Sequence, residues 1–245
     1  MGIVKWSIED LTILRRGAIL AAMRHRPFKD RIYSQFARIG QALASEKRLE
    51  ILDLLAQAPR HVDALAAETE QSVANVSQHL QVLRGARLVD SDRSGTRVVY
   101  RLADRSVLRL WLTLRGVAET QLAEVDAITR QFLGDRSGAV VSRADLEEKL
   151  TREEVFLIDV RPSVEFESGH LPGAVRMPIE ELPVRLHEIP RDRPVIAYCR
   201  GEYCLFADEA VAFLRENGIA AERLEGGWPE WLADGREVIA CGSKQ

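Results

Sequence analysis

The sequence predicts two domains in one chain: a mainly α-helical N-terminal domain and a C-terminal α/β domain built on a parallel sheet. Residues 33–57 place apolar side chains at helical spacing, as do residues 104–132 further along. The pattern of apolar residues then changes. Two continuous apolar runs end at loops, as buried parallel strands do: VFLIDV at 155–160 and PVIAYC at 194–199. The stretch GDRSG at 134–138 has the composition of a flexible linker between the two domains.

The helical part has a definite order of elements. Ser45 stands where it could cap a second helix, so residues 33–57 predict two helices. HVDALAAET then predicts a short helix, EQS a turn, and SVANVSQHLQVLRGA a longer helix. RLVDSDRSGTRVVYRLA alternates as two strands do, at 88–91 and 98–102, with a Ser-Gly turn between them. This order predicts a helix-turn-helix followed by a wing. The inward face of its longer helix comprises Val73, Val76, Leu80 and Leu83.

One long helix is predicted from Asp104 to Phe132. Its apolar residues recur at alternating intervals of four and three, interrupted only at Gln121, and such a seam requires a partner helix. We therefore expect a homodimer formed through the 104–132 helix, with packing against its own domain as the alternative. The seam comprises Val107, Trp111, Leu114, Ala118, Val125, Ile128 and Phe132.

Composition excludes several classes of protein. With 46% apolar and 29% charged residues the chain has an ordinary soluble composition. Charges interrupt every apolar stretch before it reaches the length of a membrane span, so we expect no membrane partner, no signal peptide and a cytoplasmic location. The cysteines, Cys199, Cys204 and Cys241, lie close to the C-terminus and are too few for a secreted disulfide framework, which makes them candidates for chemistry.

The net charge of -3 conceals an asymmetry between the two parts of the chain. Residues 1–103 carry 16 lysines and arginines against 11 acidic residues, whereas residues 104–245 carry 18 against 26. The N-terminal part is therefore basic, which is the sign that a phosphate-binding domain should have.

The stretch SVANVSQHLQVLRGARLVDSDRSGTRVVYRLAD has the spacing VSxHLxxLxxAxLV followed by a wing, and residues 33–102 resemble the ArsR/SmtB family. The resemblance implies a winged helix-turn-helix transcription regulator, by expectation a repressor, that binds a double-stranded DNA operator. The longer helix would present its N-terminal half to base edges in the major groove. Arg93 and Arg97 on the wing have the reach and charge to contact phosphates or the minor groove. The outward polar residues of the helix, our predicted base or phosphate contacts, are Ser72, Asn75, Ser77, Gln78 and Gln81.

Members of that family usually sense metals through cysteines in the first helix of the motif, or through histidine and aspartate on the dimer helix. Here RHVDALAAE contains no cysteine, and DRSVLRLWLTLRGVAETQLAEVD contains no histidine. His61 and Asp63 alone would make a poor site. We therefore expect no metal site, and the sequence indicates no cofactor.

The C-terminal part resembles the rhodanese superfamily in four features that occur in the expected order. They are LIDVRPSVEFESGHLPGAVRMP, then VIAYCRGEYC, then a helix, then LEGGWPEW. The first matches the pattern D-x-R-x-x-x-E-[FY]-x-x-G-H-[IL]-P-G-A through Asp159, Arg161, Glu165 and the residues that follow. In that superfamily such residues are mostly architectural, so Asp159 is expected to support the loop that carries the chemistry.

Cys199 is the expected nucleophile because it ends a buried strand and opens a loop before a helix. Loop amides, the helix N-terminus and the adjacent Arg200 should lower the pKa of its thiol and stabilise a persulfide. Six residues from Cys199 to Cys204 imply, by the resemblance, a sulfur substrate, whereas the related phosphatases have a longer loop. Many thiosulfate-using members end this loop with arginine; here Cys204 stands there, a second thiol able to trap the first. The loop consists of Cys199, Arg200, Gly201, Glu202, Tyr203 and Cys204.

Three functional hypotheses follow. The first is a homodimeric repressor whose rhodanese-like domain senses sulfane sulfur, another thiol-reactive small molecule or a redox species through Cys199. The second is a sulfurtransferase that works through a Cys199 persulfide and carries a DNA-binding module. The third is a regulator that responds to an arsenic-type oxyanion bound in the loop.

We divide the chain accordingly. Residues 1–27 form an N-terminal extension, 28–103 the winged helix-turn-helix domain and 104–133 the dimerisation helix. Residues 134–138 form the linker, 139–237 the rhodanese-like domain and 238–245 a tail. Cys241 in that tail is expected to be a free surface thiol.

Overall fold

The computed structural model describes residues 8–95, 97–134 and 140–240. They form a helical N-terminal domain with a small antiparallel sheet and an α/β C-terminal domain with a parallel sheet. The predicted fold class is therefore confirmed. Most of the linker, the end of the tail and Cys241 lie outside the described residues. Among the residues described, no helix has the length and apolarity to cross a lipid bilayer.

The N-terminal domain contains the predicted helix-turn-helix and wing. Its elements are α1 (Ile8–Leu43), α2 (Glu46–Gln57), β1 (Arg60–His61), α3 (Val62–Glu68), α4 (Val73–Gly85), β2 (Val89–Ser94) and β3 (Arg97–Leu102). Ser45 precedes α2 as expected, in an extended conformation, though its side chain makes no capping bond. The expectation of two helices in 33–57 is thus correct, although the first of them begins at Ile8. Strand β1, which pairs with β3, had no sequence signal.

The core of this domain is formed where α2, α3 and α4 face the sheet. Val76, Leu80 and Leu83 of α4 are completely buried there, as the helical spacing predicts. Val73 is the exception, because it lies in the first turn of α4, where its side chain is 45% exposed.

The predicted single helix of 104–132 is wrong, because two helices occupy this stretch: α5 (Arg105–Gln121) and α6 (Ala123–Leu133). Leu122 adopts an extended backbone, with φ −114° and ψ 102°, which interrupts the helical hydrogen-bond pattern. Neither proline nor glycine marks this position, so the sequence pattern gave no sign of the break. The predicted apolar seam is also not exposed along its whole length. Val107 is buried against its own domain, whereas Ile128 and Phe132 are exposed.

The C-terminal domain is built on a parallel sheet with strand order β4-β8-β7-β5-β6. The apolar runs of the sequence form its centre, and the side chains of β7 are all buried. Ile239 pairs with His170 through two main-chain hydrogen bonds, so residues 238–240 are attached to the domain. Its elements are β4 (Val140–Val141), α7 (Arg143–Thr151), β5 (Phe156–Asp159), α8 (Ser163–Ser168), β6 (Val175–Arg176), α9 (Leu182–Arg185), a 3₁₀ turn (Leu186–Glu188), β7 (Val195–Tyr198), α10 (Phe206–Glu216), β8 (Ala221–Leu224) and α11 (Trp228–Ala233).

Candidate functional site

Helix α4, the longer helix of the helix-turn-helix, presents a polar face to solvent. Asn75, Gln78 and Gln81 are exposed on it, while Ser77 is half-buried. Ser72 caps the helix, because its side-chain oxygen accepts a hydrogen bond from the Asn75 N–H at 3.2 Å. The structure thus places all five predicted residues on or before one helix, with Ser72 already engaged by the helix itself.

The two wing arginines stand on the two strands of the hairpin. Arg93 of β2 pairs in register with Val98, next to Arg97 at the start of β3, and both arginine side chains are exposed. Their positions on one hairpin fit a contact with the nucleic-acid backbone beside the groove that α4 would enter.

The thiol loop, residues 199–204, follows the C-terminal end of β7, and the start of α11 holds it in place. Trp228 N–H donates a hydrogen bond to the Cys199 carbonyl oxygen at 3.1 Å. The backbone approaches so closely that a Cβ on Gly227 would lie 2.3 Å from that oxygen and 2.5 Å from Gly201 N. Gly201 itself has a φ of +133°, which favours glycine. Two glycines therefore determine the shape of the loop.

The two thiols of the loop lie in different environments. Cys199 is 1% exposed, and its Sγ lies 3.8 Å from the carbonyl oxygen of Gly201 and 3.7 Å from that of Cys204. Burial raises the pKa of the Cys199 thiol well above its ordinary value, more than the N–H groups of Gly201 and Ala207 lower it. The predicted low pKa of Cys199 is therefore not what this loop conformation provides.

Cys204 has the opposite shift. A hydrogen bond from the Cys199 thiol, followed by the N–H groups of Arg200 and Phe206 and the Arg200 charge, lowers the pKa of Cys204 to about 7 against the effect of burial. Loop amides do converge on sulfur, as expected, but at Cys204 the hydrogen bond from the Cys199 thiol lowers the pKa more than either amide does. The two thiols are thus an interacting pair whose protonation is linked.

The loop contacts the N-terminal domain directly. Gln57 at the end of α2 is 2% exposed, and its Nε2 donates to the Arg200 carbonyl oxygen at 2.9 Å. Tyr203 Oη donates to the Glu119 carboxylate of α5 at 2.8 Å. Burial, with that hydrogen bond second, raises the pKa of Tyr203 to about 12, so this hydroxyl remains protonated.

Four alternating charges join the domains beside the loop, and we call them the interdomain charge cluster: Arg60, Glu68, Glu165 and Arg200. Arg60 binds Glu68 at 2.7 Å and also binds Glu165, which is completely buried. Arg200 completes the cluster with Glu68 at 3.1 Å and Glu165 at 2.5 Å. Since Arg60 and Glu68 belong to the N-terminal domain and the other two to the C-terminal domain, neither domain completes the cluster alone.

A pocket of about 310 Å³ opens in front of the loop and has walls from both domains. Asp53 of α2 accepts a hydrogen bond from Trp111 Nε1 at 2.8 Å, and burial raises the pKa of its carboxyl despite that bond. Arg115 of α5 binds Glu119 at 3.2 Å and also binds Glu230 of α11. The lining residues are Asp53, Arg115, Arg200, Gly201, Glu202, Tyr203, Cys204, Leu205 and Phe206.

Comparison with known proteins agrees with this architecture. Residues 45–91 match the model described as "Bacterial regulatory protein, arsR family", and residues 142–234 match the rhodanese-like domain. HTH-type transcriptional regulator Rv0324 of Mycobacterium tuberculosis is 43% identical over 210 residues, which cover 86% of this chain and 92% of that protein. The chain belongs to the ArsR family of transcriptional regulators, and it carries a rhodanese-like domain.

Two further relatives each correspond to one part of this ArsR-family regulator. A sulfurtransferase of Allochromatium vinosum is 35% identical over 89 residues, covering 36% of this chain and 81% of that protein. The homodimeric winged helix-turn-helix DNA-binding domain of Mb0332 from Mycobacterium bovis is 44% identical. The match covers 38% of this chain and 87% of that structure, with a TM-score of 0.37.

The rhodanese-like motif residues of the regulator support the loop from behind. Asp159 and Arg161 are completely buried and paired, with Arg161 Nη2 2.6 Å from Asp159 Oδ2. Tyr198 Oη donates to the same carboxylate at 2.5 Å, and Arg161 lies over the Trp228 ring at 4.9 Å. This arrangement has the architectural character expected of Asp159.

Sequence reasoning missed the residues that the regulator part contributes to this site. No sequence motif includes Gln57, Asp53 or Arg115, because their role arises only where α2 and α5 contact the C-terminal domain. The amide of Gln57 and the carboxylate of Asp53, four residues apart in α2, were the available signal. Within the described ranges, no group of three or more histidine, cysteine or acidic side chains is placed to hold a metal ion.

Proposed function

We propose that the protein is a homodimeric operator-binding repressor whose rhodanese-like domain senses reactive sulfur or oxidising species at the thiol loop. The observation that carries this proposal is the direct attachment of the loop to the DNA-binding domain, through Gln57 on the Arg200 carbonyl and Arg200 on Glu68. A catalytic domain with an unrelated role would not require such contacts from the residue next to its nucleophile.

A change at the loop has a short route to the DNA-reading helix. Sulfur addition or oxidation alters the size and charge of groups on either side of Arg200. Glu68, which binds Arg200, ends α3, and α3 packs directly against α4. An effector shifts DNA affinity only if it favours one of two domain arrangements, and these contacts are where two arrangements would differ.

The proposed DNA contacts are those of the sequence analysis. Asn75, Gln78 and Gln81, with Ser77 beside them, would contact base edges or phosphates, and Arg93 and Arg97 would contact the backbone. Ser72 would act by capping α4 and by offering its N-terminus to a phosphate.

Dimerisation through the 104–132 stretch is supported by apolar side chains that the single chain leaves uncovered. Val117, Ile128 and Phe132 are 54%, 56% and 72% exposed, and α6 has no buried residue among those described. Phe28, Tyr33 and Phe36 of α1 form a second such group. The relative from Mycobacterium bovis is described as homodimeric, which agrees with a dimer here.

Sulfurtransferase activity is the second candidate, favoured by the pocket in front of the thiol loop and by the relative named a sulfurtransferase. Under that hypothesis a loop persulfide passes its sulfur to an acceptor in repeated cycles, and Cys199 is the predicted nucleophile. Binding of an oxyanion by the loop amides stays a prediction, tested by competition with a persulfide donor.

The deciding experiment measures operator affinity in two chemical states. Operator fragments are selected from random DNA by the reduced protein, and fluorescence anisotropy then compares reduced protein with protein treated with glutathione persulfide. We expect affinity to fall by roughly 5- to 150-fold, the usual range of allosteric coupling. A chain with all three cysteines changed to serine serves as the control and should not respond. Unchanged affinity in the unaltered chain, together with steady turnover of thiosulfate, would favour the enzyme hypothesis instead.

A further inference from the structure

We propose that the pocket in front of the thiol loop selects its sulfur donor by charge. It accepts the hydropersulfide of a small aminothiol, R–S–SH with an ammonium group on R, and disfavours inorganic oxyanions such as thiosulfate. This inference rests on the proposed function, because it names the donor class of the same site. It is carried by the carboxylates that surround the loop and by the pairing of both arginines that line the pocket.

The pocket of about 310 Å³ lies in front of the loop that the predicted nucleophile opens. Gly201 and Cys204 line it, and their carbonyl oxygens lie 3.8 Å and 3.7 Å from the Cys199 Sγ. Asp53 and Arg115 add walls from the N-terminal domain. A donor that approaches the loop through this pocket therefore passes between charged groups of both domains.

Arg115, the first of the two cations that line the pocket, is already neutralised. It binds Glu119 at 3.2 Å and also binds Glu230, and its guanidinium carbon lies 5.8 Å from the centre of the Tyr203 ring. The Glu230 carboxylate stands against the loop itself, because a Cβ on Gly201 would lie 3.3 Å from its Oε1. One guanidinium thus faces two carboxylates here, and the surplus charge is negative.

Arg200, the second cation of the pocket, belongs to the interdomain charge cluster. It binds Glu68 at 3.1 Å and Glu165 at 2.5 Å, and Arg60 binds the same two carboxylates. Two guanidinium groups therefore balance two carboxylates within the cluster. Arg200 has no positive charge in excess to offer to an anion in the pocket.

The acidic groups that line the pocket increase the negative charge. Glu202 lies 3.4 Å from Arg223, but Arg223 also binds Asp208 at 3.4 Å, so two carboxylates again share one guanidinium. Asp53 adds a further charge whenever its carboxyl group is ionised. The potential in the pocket is therefore negative, and it attracts cations and repels anions.

This charge distribution separates the possible donors. Thiosulfate carries two negative charges, so it must displace a carboxylate from an arginine or enter the pocket without a counter-ion, and both are costly. An ammonium group on a small donor can instead approach Glu202, while its carbon chain contacts Leu205 and Phe206. The loop thiolate then attacks the outer sulfur of R–S–SH. The donor S–S bond breaks, R–S⁻ leaves with the electron pair, and the transferred sulfur keeps its hydrogen.

The first test measures the preference for charge with thiol reagents, without DNA. In a Cys241→Ser background, 2-aminoethyl methanethiosulfonate is the cation and 2-sulfonatoethyl methanethiosulfonate the anion, and each rate is divided by the rate with free 2-mercaptoethanol. We expect the cation to react roughly tenfold faster, since one net negative charge about 6 Å from the sulfur gives that ratio even in water. The ratio should fall towards one in about 1 M salt.

Variants identify the charges responsible. Glu202→Gln and Glu119→Gln should each lower the ratio by roughly three- to tenfold. Glu209→Gln removes an exposed carboxylate of α10 that does not line the pocket, and it should leave the ratio unchanged. The inference is overturned if the anion reacts as fast as the cation, or if neither Glu202→Gln nor Glu119→Gln changes the ratio.

The second test uses sulfur donors and follows persulfide formation by mass spectrometry. Cysteamine persulfide should react roughly tenfold faster than the persulfide of mercaptoacetate, with glutathione persulfide between them and thiosulfate slowest. Equal rates, or a faster reaction with thiosulfate, would overturn the donor class while leaving a role in sensing possible. An operator affinity that is unchanged after uptake from cysteamine persulfide would instead contradict only the proposed function.

Discussion

The side-chain amide of Gln57 donates a hydrogen bond of 2.9 Å to the main-chain carbonyl oxygen of Arg200 and thereby joins the DNA-binding domain to the thiol loop. The two residues are far apart in the sequence, and Gln57 is 2% exposed. A glutamine buried at the end of a helix is expensive unless it is bonded, so this contact favours one arrangement of the two domains.

Gln57→Ala should weaken the coupling between sulfur chemistry and DNA binding. The Arg200 carbonyl would lose its partner, and we expect a loss of about 1–3 kcal/mol in the free energy of unfolding. The change in operator affinity after persulfide treatment should shrink, while sulfur uptake by the loop remains. Gln41→Ala alters an exposed glutamine of α1 and is the matched control. A full DNA response in Gln57→Ala would show that this contact does not transmit the signal.

Arg60→Gln should be the most destabilising of the charge substitutions. It removes a buried guanidinium that neutralises Glu165, which is completely buried, and breaking a buried pair costs about 3–5 kcal/mol. Chemical denaturation monitored by circular dichroism measures the loss. Arg101→Gln changes an arginine paired with Asp90 and Asp92 at the surface, and it should cost no more than about 1 kcal/mol. Equal losses in the two variants would refute a structural role for the interdomain charge cluster.

Much of the fold follows from local patterns. The N-cap position Ser45 and the apolar runs of β5 and β7 are local signals, and the elements they predict are present. The break at Leu122 has no such signal, because neither glycine nor proline marks it. The sequence therefore predicts the helical content of this stretch but not its division.

The candidate site, like the fold, could be predicted from the sequence only in part. A motif placed Cys199 and Cys204 in one loop, but which thiol faces the pocket depends on backbone angles such as the φ of +133° at Gly201. Contacts such as that of Arg60 with Glu165 join residues more than a hundred positions apart, so no local pattern could indicate them. Helices α5 and α2 pack against α11, and such contacts between the two domains arise only in the folded chain.

Asn75→Ala and Gln78→Ala should each weaken specific operator binding by roughly 1–3 kcal/mol, because both side chains are exposed on α4 and can pair with base edges. Binding to unrelated DNA should change little. Gln121→Ala, an exposed glutamine at the end of α5, is the control. Arg97→Ala should instead lower affinity for all sequences and flatten the salt dependence; an unchanged salt slope would count against the wing assignment.

Gly227→Ala should disturb the thiol loop without touching either cysteine. Its Cβ would lie 2.3 Å from the Cys199 carbonyl oxygen, so the loop or α11 must shift, at a cost of about 1–3 kcal/mol. Gly40→Ala in α1 meets nothing within 4 Å and should be neutral or slightly stabilising. Thermal unfolding and the alkylation rate of Cys204 are the two measurements. Unaltered alkylation in Gly227→Ala would mean that α11 does not fix the loop.

The alkylation rate of Cys204 should depend on pH around neutrality. The pKa of this thiol is lowered to about 7, so its thiolate, and with it the rate of reaction with iodoacetamide, should rise as the pH increases through 7 and level off above. Cys199, whose pKa burial raises, should remain protonated and slow over the same range. Arg200, Glu202, Arg115 and Asp53 are the charged groups around the pocket, and of these Arg200 contributes to the lowering.

Arg200→Gln should therefore move the midpoint upward while keeping the main-chain N–H that faces the sulfur. Peptide mapping after short labelling at a series of pH values gives the midpoint for each cysteine separately. Arg193→Gln, which alters a half-buried arginine before β7 that does not line the pocket, is the control and should leave both midpoints unchanged. A Cys204 midpoint near the ordinary cysteine value of about 8.5 would contradict the stabilised thiolate, because neither the Cys199 hydrogen bond nor the loop amides would then be acting on it.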